Sequence, residues 1–390
     1  MNIPVLDLKA QYESMKEEIE KKILEIASSQ KYILGPEVEN LEREIAGYSG
    51  IKHGIGVSSG SDALIISLMT LGIGHGDIVV TTPFTFFATV GAIARVGART
   101  VFCDIDAVTY NMDPSRLEEV LEKECGGEAN HRVKAIIPIH LFGQCADMAP
   151  ILSLAKKYNL SVVEDGAQAI GSEYPFPSGT RRANGIGDMG TLSFYPSKIL
   201  GAFGDGGMVL TNSEEWAEKL RILRVHGAKS KYFHQMLGGN FRLDNIQAGV
   251  LRIKLKYLDT WIRRRKEKAN CYDALLEDSG LIAKEWVQEP KAVYKKSGVT
   301  NYHTYHQYVI RAKDRDKLQQ FLKTKKVATL IYYPLSLHLQ ECFAELDYKK
   351  GDFPVSENAT KEVLALPIYP EMSESQQEYV VSSIREFYSN

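Results

Sequence analysis

A lysine set among small and apolar residues is the strongest chemical signal in this chain of 390 residues. Lys198 follows a β-like segment at 191–194 and precedes a glycine-rich turn that ends at Gly207. Keeping a buried lysine uncharged is costly, because lowering its pKa from about 10.4 to about 7 takes roughly 4–5 kcal/mol. A Schiff base with an aldehyde cofactor is one resolution. Taken alone, the segment is explained equally well by a solvated lysine on a surface loop.

A carboxylate closes the apolar segment that ends at Asp165. A pyridine ring acts as an electron sink only while its nitrogen is protonated, and a buried aspartate beside that nitrogen enforces the protonated state. Asp165 precedes Lys198 by 33 residues, which leaves room for one crossover and another strand. An aspartate that caps the turn after a strand is the alternative, and the combination with Lys198 favours a cofactor site.

Two other segments have residues suited to a phosphorylated ring. Gly60, Ser61 and Asp62 open a predicted helix, where backbone N–H groups and the helix dipole favour an anion; the alternative is a helix cap without a ligand. Phe86 follows a predicted strand, and its ring could stack on a flat cofactor or pack in the core. The chain has no Walker motif, no HExxH and no GxGxxG at the start of a βαβ unit. This disfavours an oxidoreductase with a nucleotide cofactor.

These candidate residues need a scaffold, and the pattern between about residues 55 and 212 predicts one. Short β-branched segments alternate with segments of helical spacing, which is typical of an α/β fold with a mostly parallel sheet. Asp165 closes one predicted strand and Lys198 follows another, at the edge where such sheets bind ligands. The predicted strands are 78–82, 100–104, 135–139, 161–165, 191–194 and 208–211. The predicted helices are 61–71, 114–124 and 148–158.

The rest of the chain predicts a smaller α+β domain. A long charged helix is expected over 244–278, with the basic run 263–266 on a solvated face, and a loop is expected over 174–190. The later strands are predicted at 308–311 and 327–332, and the later helices at 315–325 and 374–388. We therefore expect a large cofactor-binding domain with an N-terminal helical arm over 1–250, and a small C-terminal domain over 251–390.

The composition is that of an ordinary globular protein, with 44% hydrophobic residues, 25% charged residues and a net charge of −2. A charge this close to zero gives no general attraction to nucleic acid or to anionic membranes. Five cysteines without a CxxC pair argue against a disulfide framework or a zinc site, so no metal is expected, and they suit a reducing cytoplasm. The first ten residues lack the apolar core of a signal peptide. The longest uncharged run, 78–94, is shorter than the roughly 20 apolar residues of a membrane span.

With these residues in order, the chain resembles the DegT family of fold-type-I, pyridoxal-phosphate-dependent sugar aminotransferases. The resemblance implies an α/β fold, with a large three-layer domain around a mostly parallel seven-stranded sheet and a smaller α+β C-terminal domain. It also implies a homodimer with shared active sites. The matching segments span nearly the whole chain and are 33–38, 60–64, 83–89, 140–144, 164–168, 193–207, 239–244, 333–338 and 366–370.

The resemblance assigns a role to each candidate residue. Lys198 would bind pyridoxal 5′-phosphate covalently and later move a proton, and Asp165 would pair with the ring nitrogen. Asn240 would reach the phosphate from the second subunit. The other residues implied at the cofactor are Gly60, Ser61, Asp62 and Ser193 at the phosphate, Phe86 on the ring face and Gln168 near the phenolic oxygen. The residues implied at the substrate are His306, Tyr332 and His338.

The implied reaction is ping-pong transamination through Lys198, from an amino acid (L-glutamate in the family) to a keto group of a nucleotide-linked sugar. The segments 140–147 and 332–338 are closer to members that act on 3-keto sugars than to members that act on 4-keto sugars. Such sugars usually serve lipopolysaccharide and other glycans made in the bacterial cytoplasm. One alternative is a sugar dehydratase of the same fold, although such members carry histidine in place of the lysine. The others are a desulfurase, which needs a reactive cysteine on a mobile loop, and a cofactor-bound sensor or scaffold without catalysis.

Overall fold

A seven-stranded sheet with helices on both faces forms the larger part of the chain. The computed structural model describes residues 1–126 and 132–389. Its strands are β1 (His53–Val57), β2 (Ile78–Thr81), β3 (Arg99–Phe102), β4 (Val133–Ile136), β5 (Ser161–Asp165), β6 (Glu173–Phe176), β7 (Gly179–Arg182), β8 (Met189–Ser193), β9 (Gly207–Thr211), β10 (Ala228–Ser230), β11 (Phe233–His234), β12 (Val287–Gln288), β13 (Tyr308–Ala312) and β14 (Val363–Leu366). Its α-helices are α1 (Leu8–Glu13), α2 (Lys16–Ser29), α3 (Pro36–Ser49), α4 (Gly60–Thr70), α5 (Phe87–Arg95), α6 (Pro114–Cys125), α7 (Met148–Tyr158), α8 (Glu214–Leu223), α9 (Asn245–Leu255), α10 (Leu258–Asp278), α11 (Arg315–Thr324), α12 (Pro354–Glu362) and α13 (Glu374–Ser389).

The order of the strands in this sheet is β1-β9-β8-β5-β4-β2-β3. β9 runs antiparallel to both of its neighbours, and the other neighbouring pairs are parallel. Parallel strands end at one edge of a sheet, so Asp165 at the end of β5 and Ser193 at the end of β8 come together there. The α/β class and the mostly parallel seven-stranded sheet expected from the sequence are confirmed.

Helices bury both faces of the sheet, which gives three layers. The alternation of side chains along β2 shows this, since Val80 packs with α6 and α7 while Val79 packs with α4, α5 and α8. β2 is buried at every position, as expected for a strand that is covered on both faces. In the part of the chain that the structure describes, no helix has the length and apolarity needed to cross a bilayer.

The later part of the chain builds a second, smaller core. β12, β13 and β14 form an antiparallel sheet, and Tyr308 of β13 packs with Tyr272 of α10 and with apolar residues of α11 and α13. Ile3 joins this core, because its N–H donates to the Lys326 carbonyl and its carbonyl accepts from the Ala328 N–H, both at 2.9 Å. α9 spans the predicted domain boundary at residue 250 and packs against α2 and α3.

The helix expected over 244–278 is wrong as one element, since α9 and α10 are separated at residues 256–257. Packing explains the break: Leu251 of α9 belongs to the core of the large sheet, and Tyr272 of α10 belongs to the smaller core. The expected solvated basic face is also wrong at Arg265, which is 3% exposed. Its guanidinium donates to the carbonyl oxygens of Tyr305, His306 and Ile368.

Two further expectations are corrected. Residues 327–332 are not a strand, because Val327 and Leu330 each form only a single bridge before the chain turns into the site described below. The expected loop over 174–190 contains the hairpin of β6 and β7. The turn of that hairpin places Gly179 at a φ of +129°, a conformation that glycine adopts without strain.

Candidate active site

The turn after β8 carries Lys198 into a half-buried position at the edge of the sheet. Its backbone N–H donates to the Tyr195 carbonyl oxygen at 2.8 Å, which closes the turn. Burial lowers the pKa of Lys198 to about 8, and the charge of Asp165 opposes that change. A fraction of the amine is therefore uncharged near neutral pH, and an uncharged amine is a nucleophile.

Asp165 is near enough for its charge to act on this amine, and 7% of its surface is exposed. The Thr89 hydroxyl donates to Oδ2 at 2.7 Å and the Ala167 N–H donates to Oδ1 at 3.2 Å. Its backbone is held as well, because its N–H donates to the Pro138 carbonyl and its carbonyl accepts from the His140 N–H. The carboxylate is thus fixed in place with room to accept another N–H donor, as a protonated ring nitrogen would require.

The start of α4 is a capped helix N-terminus. The Ser59 hydroxyl caps the helix by accepting from the Asp62 N–H at 3.0 Å, and the hydroxyls of Ser58 and Ser59 donate to the Asp62 carboxylate. The side chain of Asp62 therefore shapes the turn. The N–H groups of Gly60 and Ser61 have no acceptor within the described residues, and they are the donors that a phosphate would meet.

The backbone segments around this turn approach each other closely. A Cβ added at Gly60 would lie 2.6 Å from the Ser193 Cβ, and one added at Gly207 would lie 2.3 Å from the Ser59 carbonyl oxygen. The helix start, the end of β8 and the start of β9 therefore converge on one cradle that a larger side chain would fill. Ser193 brings its hydroxyl to the same cradle.

Gln168 connects the site to the later part of the chain. Its Oε1 accepts from the Phe142 N–H at 2.8 Å, and its Nε2 donates to the Tyr333 hydroxyl at 2.9 Å. Burial raises the pKa of Tyr333, and the negative charge of Asp165 adds to that effect. Tyr333 is therefore a neutral hydroxyl beside the Lys198–Asp165 pair. The sequence interpretation missed Tyr333, although the aromatic pair 332–333 before a proline was the available signal.

Phe86 keeps an open ring face above the site. It is 59% exposed, and its ring centroid lies 6.4 Å from that of Tyr333. A core role, the alternative left open by the sequence, is excluded by this exposure. An exposed aromatic ring beside polar groups is suited to stack on a flat ligand.

Asn240 faces solvent, and its side-chain oxygen accepts from the Arg242 guanidinium at 2.8 Å. The neighbouring Phe241 carbonyl accepts from the Ser58 N–H at 3.0 Å, so the chain passes next to the phosphate turn. The structure does not direct the Asn240 side chain into the cradle of its own chain.

The expected substrate residues occupy different surroundings. His306 is 8% exposed, and its Nδ1 has no partner within residues 1–126 and 132–389. Burial lowers the pKa of His306 well below its usual value, and the positive charges of Lys198 and Arg265 lower it further. This places a neutral imidazole beside the lysine. Tyr332 is half-buried at the edge of the same region.

His338 lies deeper than expected, with 2% of its surface exposed. Its Nδ1 is 2.9 Å from the Ser336 hydroxyl, and its Nε2 is 3.2 Å from the Glu357 carboxylate. Both ring nitrogens are thus engaged within the chain, and a substrate contact at His338 would require one of these bonds to break. Across the described ranges, no group of three or more His, Cys, Asp or Glu side chains is arranged to hold a metal ion.

Comparisons with known proteins identify relatives over the whole chain. A model of the DegT/DnrJ/EryC1/StrS aminotransferase family matches residues 13–385. The "Pleiotropic regulatory protein" of Geobacillus stearothermophilus is 50% identical over 388 residues, which cover 100% of this chain and 99% of the relative. The UDP-N-acetyl-3-dehydro-alpha-D-glucosamine 3-aminotransferase of Acidithiobacillus ferrooxidans is 39% identical over 383 residues, which cover 98% of this chain and 97% of the relative.

Solved structures share the fold. DesV of S. venezuelae, in complex with a ketimine intermediate, superposes with a TM-score of 0.90 at 37% identity, covering 100% of this chain and 99% of that chain. NtdA of Bacillus subtilis, with bound cofactor PMP, superposes with a TM-score of 0.86 at 29% identity, covering 97% of this chain and 82% of that chain.

Proposed function

Because the chain belongs to the DegT/DnrJ/EryC1/StrS aminotransferase family, we propose that it moves an amino group from an amino acid to the keto group of a nucleotide-linked sugar. The family, the aminotransferase class and pyridoxal 5′-phosphate as cofactor, all expected from the sequence, are confirmed. The observation that carries the proposal is the half-buried Lys198 amine, on which the charge of Asp165 acts, together with a helix start whose first N–H groups could meet a phosphate.

Lys198 has two tasks in this reaction. When bound, the cofactor supplies an aldehyde that condenses with amines and a ring that accepts electrons from the substrate carbon. Lys198 would hold the cofactor through Nζ until an incoming amine displaces it. The freed Nζ would then take the proton from the α-carbon of the donor and, in the second half of the reaction, give a proton to the sugar carbon that receives nitrogen. An amine with a pKa of about 8 is suited to both directions.

The other residues would hold the cofactor in place and polarise its ring. Asp165, fixed by Thr89 and Ala167, would keep the ring nitrogen protonated. Gly60, Ser61 and Ser193 would bind the phosphate, Phe86 would cover one face of the ring, and Gln168 would lie at the phenolic oxygen. Gln168 already donates to Tyr333, so this tyrosine would orient Gln168.

The acceptor is proposed to be a 3-keto sugar nucleotide, with L-glutamate as the donor. The name of the A. ferrooxidans relative, a 3-aminotransferase that acts on a 3-dehydro sugar nucleotide, supports the position of the keto group. His306 and Tyr332 would contact the substrate at the edge of the site, and His338 would do so only after releasing Ser336 or Glu357.

A homodimer is proposed, with Asn240 of each subunit reaching the phosphate of the other. The exposed side chain of Asn240 supports this, as do large apolar residues nearby, because Tyr232 is 80% exposed, Phe233 is 73% exposed and Leu237 is 91% exposed. The reaction is placed in the cytoplasm, which suits five cysteines that are all free. We also propose that the boundary between the two domains lies near residue 250.

A regulatory protein without catalysis is the second candidate, favoured by the name of the G. stearothermophilus relative. A dehydratase and a desulfurase are less well supported. Lys198 provides the amine that transamination needs. A desulfurase would need a reactive thiol, and Cys103 and Cys145 are buried with raised thiol pKa values, which leaves Cys342 as the exposed cysteine. A scaffold would have no chemical need for an amine of lowered pKa paired with a fixed carboxylate.

The experiment compares the wild type with Lys198→Ala. The purified wild type, supplied with pyridoxal 5′-phosphate, should absorb as a lysine imine and should transfer nitrogen from L-glutamate to 3-keto but not to 4-keto sugar nucleotides. The variant should lose both properties. Transamination by the variant would overturn the assignment of Lys198, and a wild type that binds the cofactor but converts none of the keto sugars would favour the regulatory role.

A further inference from the structure

Helix α9 holds the turn that carries Lys198 at two points. The Lys254 ammonium donates to the Gly201 carbonyl oxygen at 2.7 Å. The Gln247 side-chain oxygen accepts from the Phe203 N–H at 2.8 Å. Lys254 and Gln247 are seven residues apart, which is two helical turns, so they lie on the same face of α9.

The turn is too tight for Gly201 and Lys198 to move independently. The Lys198 N–H bonds the Tyr195 carbonyl, and the Ala202 N–H bonds the Phe194 carbonyl, both at 2.8 Å. A Cβ added at Gly201 would lie 2.4 Å from the Pro196 carbonyl oxygen, so these two segments of backbone are in contact. An anchor on the Gly201 carbonyl therefore restricts the backbone of the lysine three residues earlier.

Burying a lysine at position 254 carries a desolvation cost. It is 2% exposed, and Gly201 is the one acceptor for its three N–H donors within the described residues. The Phe203 ring, 5.0 Å from Nζ, offers a weak further attraction. Burial lowers the pKa of Lys254 to about 8. An apolar side chain of similar length would fill the same space without the desolvation cost, but it would leave the Gly201 carbonyl without this donor.

We propose that Lys254 is a positioning residue for Lys198, which it serves by anchoring the Gly201 carbonyl so that the Lys198 amine points at the cofactor aldehyde. The inference rests on the proposed function, because it takes Lys198 as the residue that condenses. Burial works against the charged form of Lys254, and its one hydrogen bond within the described residues goes to the turn that carries Lys198.

Two forms of the cofactor distinguish an effect on the position of Lys198 from a general loss of cofactor binding. Pyridoxal 5′-phosphate has an aldehyde: the lysine Nζ adds to its carbon, a C=N bond forms and one water leaves. Pyridoxamine 5′-phosphate has an amine instead and binds without that step. In Lys254→Met, condensation of apoprotein with pyridoxal 5′-phosphate, followed by imine absorbance, should slow about tenfold. The dissociation constant of pyridoxamine 5′-phosphate should stay within about twofold. Lys256→Met, two residues later and solvent-exposed, is the matched control and should match the wild type in both.

The other outcomes overturn the inference. If Lys254→Met slows condensation with pyridoxal 5′-phosphate and weakens binding of pyridoxamine 5′-phosphate by the same factor, Lys254 only maintains the fold. If both quantities stay at their wild-type values, the anchor has no effect. If Lys254→Met does not fold, Gln247→Ala decides, because it removes the second anchor without changing a charge and should show the same difference between the two cofactors. Condensation in Lys198→Ala at the wild-type rate would instead refute the proposed function.

Discussion

Replacing the proposed catalytic lysine should stabilise the protein without cofactor. Burial lowers the pKa of Lys198 from 10.5 to about 8. A difference of about 2.5 between the pKa values of the unfolded and folded chain corresponds to about 3 kcal/mol. The unfolded chain binds the proton more tightly, so the folded state is penalised in full below about pH 8, and the penalty fades as the pH rises toward 10.5. Lys198→Met, which removes the charge and keeps the length, should recover most of this energy at pH 7 and none above about pH 10.5.

Thermal unfolding of the apoprotein at pH 7 and at pH 10.5 measures this effect. For a chain of 390 residues, 3 kcal/mol corresponds to a rise in Tm of about 4 °C. Lys256→Met is the control, because the Lys256 side chain is 63% exposed and pairs with Glu18 at the surface. Its Tm should change by less than about 1 °C at both pH values. A Lys198→Met variant that is less stable than the wild type at pH 7, or that gains equally at both pH values, would refute the reasoning.

Two further variants test the cradle and the carboxylate. Gly60→Ala puts a methyl carbon 2.6 Å from the Ser193 Cβ and should weaken binding of pyridoxamine 5′-phosphate at least about tenfold by calorimetry. Gly47→Ala, where a Cβ would meet nothing within 4 Å, should leave that affinity unchanged. Thr89→Val removes a buried hydrogen bond of 2.7 Å to Asp165. Hydrogen bonds to charged groups contribute about 1.5–3 kcal/mol. If this energy holds the carboxylate in place for the reaction, kcat/KM for the amino donor should fall about 10- to 150-fold. An unchanged kcat/KM would show that Thr89 does not help to hold the carboxylate.

Much of the scaffold could be predicted from the sequence because the sheet is buried on both faces. Such strands are short, apolar and β-branched, and they stand out between helices of regular spacing. The predicted strand 161–165 coincides with β5, and helix 148–158 coincides with α7. Asp165 and Lys198 could be predicted as a pair because topology alone brings the ends of parallel strands together.

The residues that the sequence could not place depend on contacts between distant segments. Lys254 lies in a charged helix, where a lysine usually faces solvent, and only the tertiary fold places it at Gly201. The burial of Arg265 could not be predicted for the same reason, because its guanidinium donates to three carbonyl oxygens from distant segments. The engagement of His338 with Glu357 joins residues 19 positions apart, and no local pattern reports such a bond.

The energetics of Lys198 also bear on the choice between enzyme and regulator. With methionine at 198, a protein that used this fold only as a scaffold would no longer bury this amine. The lost attraction to Asp165 would offset only part of that gain, because burial is the larger effect on the pKa of Lys198. Burial likewise lowers the pKa of Lys254 to about 8, although replacing Lys254 would also remove the donor to the Gly201 carbonyl. A buried amine on the turn and a second one on α9 that anchors this turn are explained together if the first must be a nucleophile and the second must aim it. Stability is commonly given up at sites of this kind. A gain in Tm for Lys198→Met at pH 7 would therefore support the catalytic role as well as the pKa, while a loss would leave the buried amine without a functional explanation.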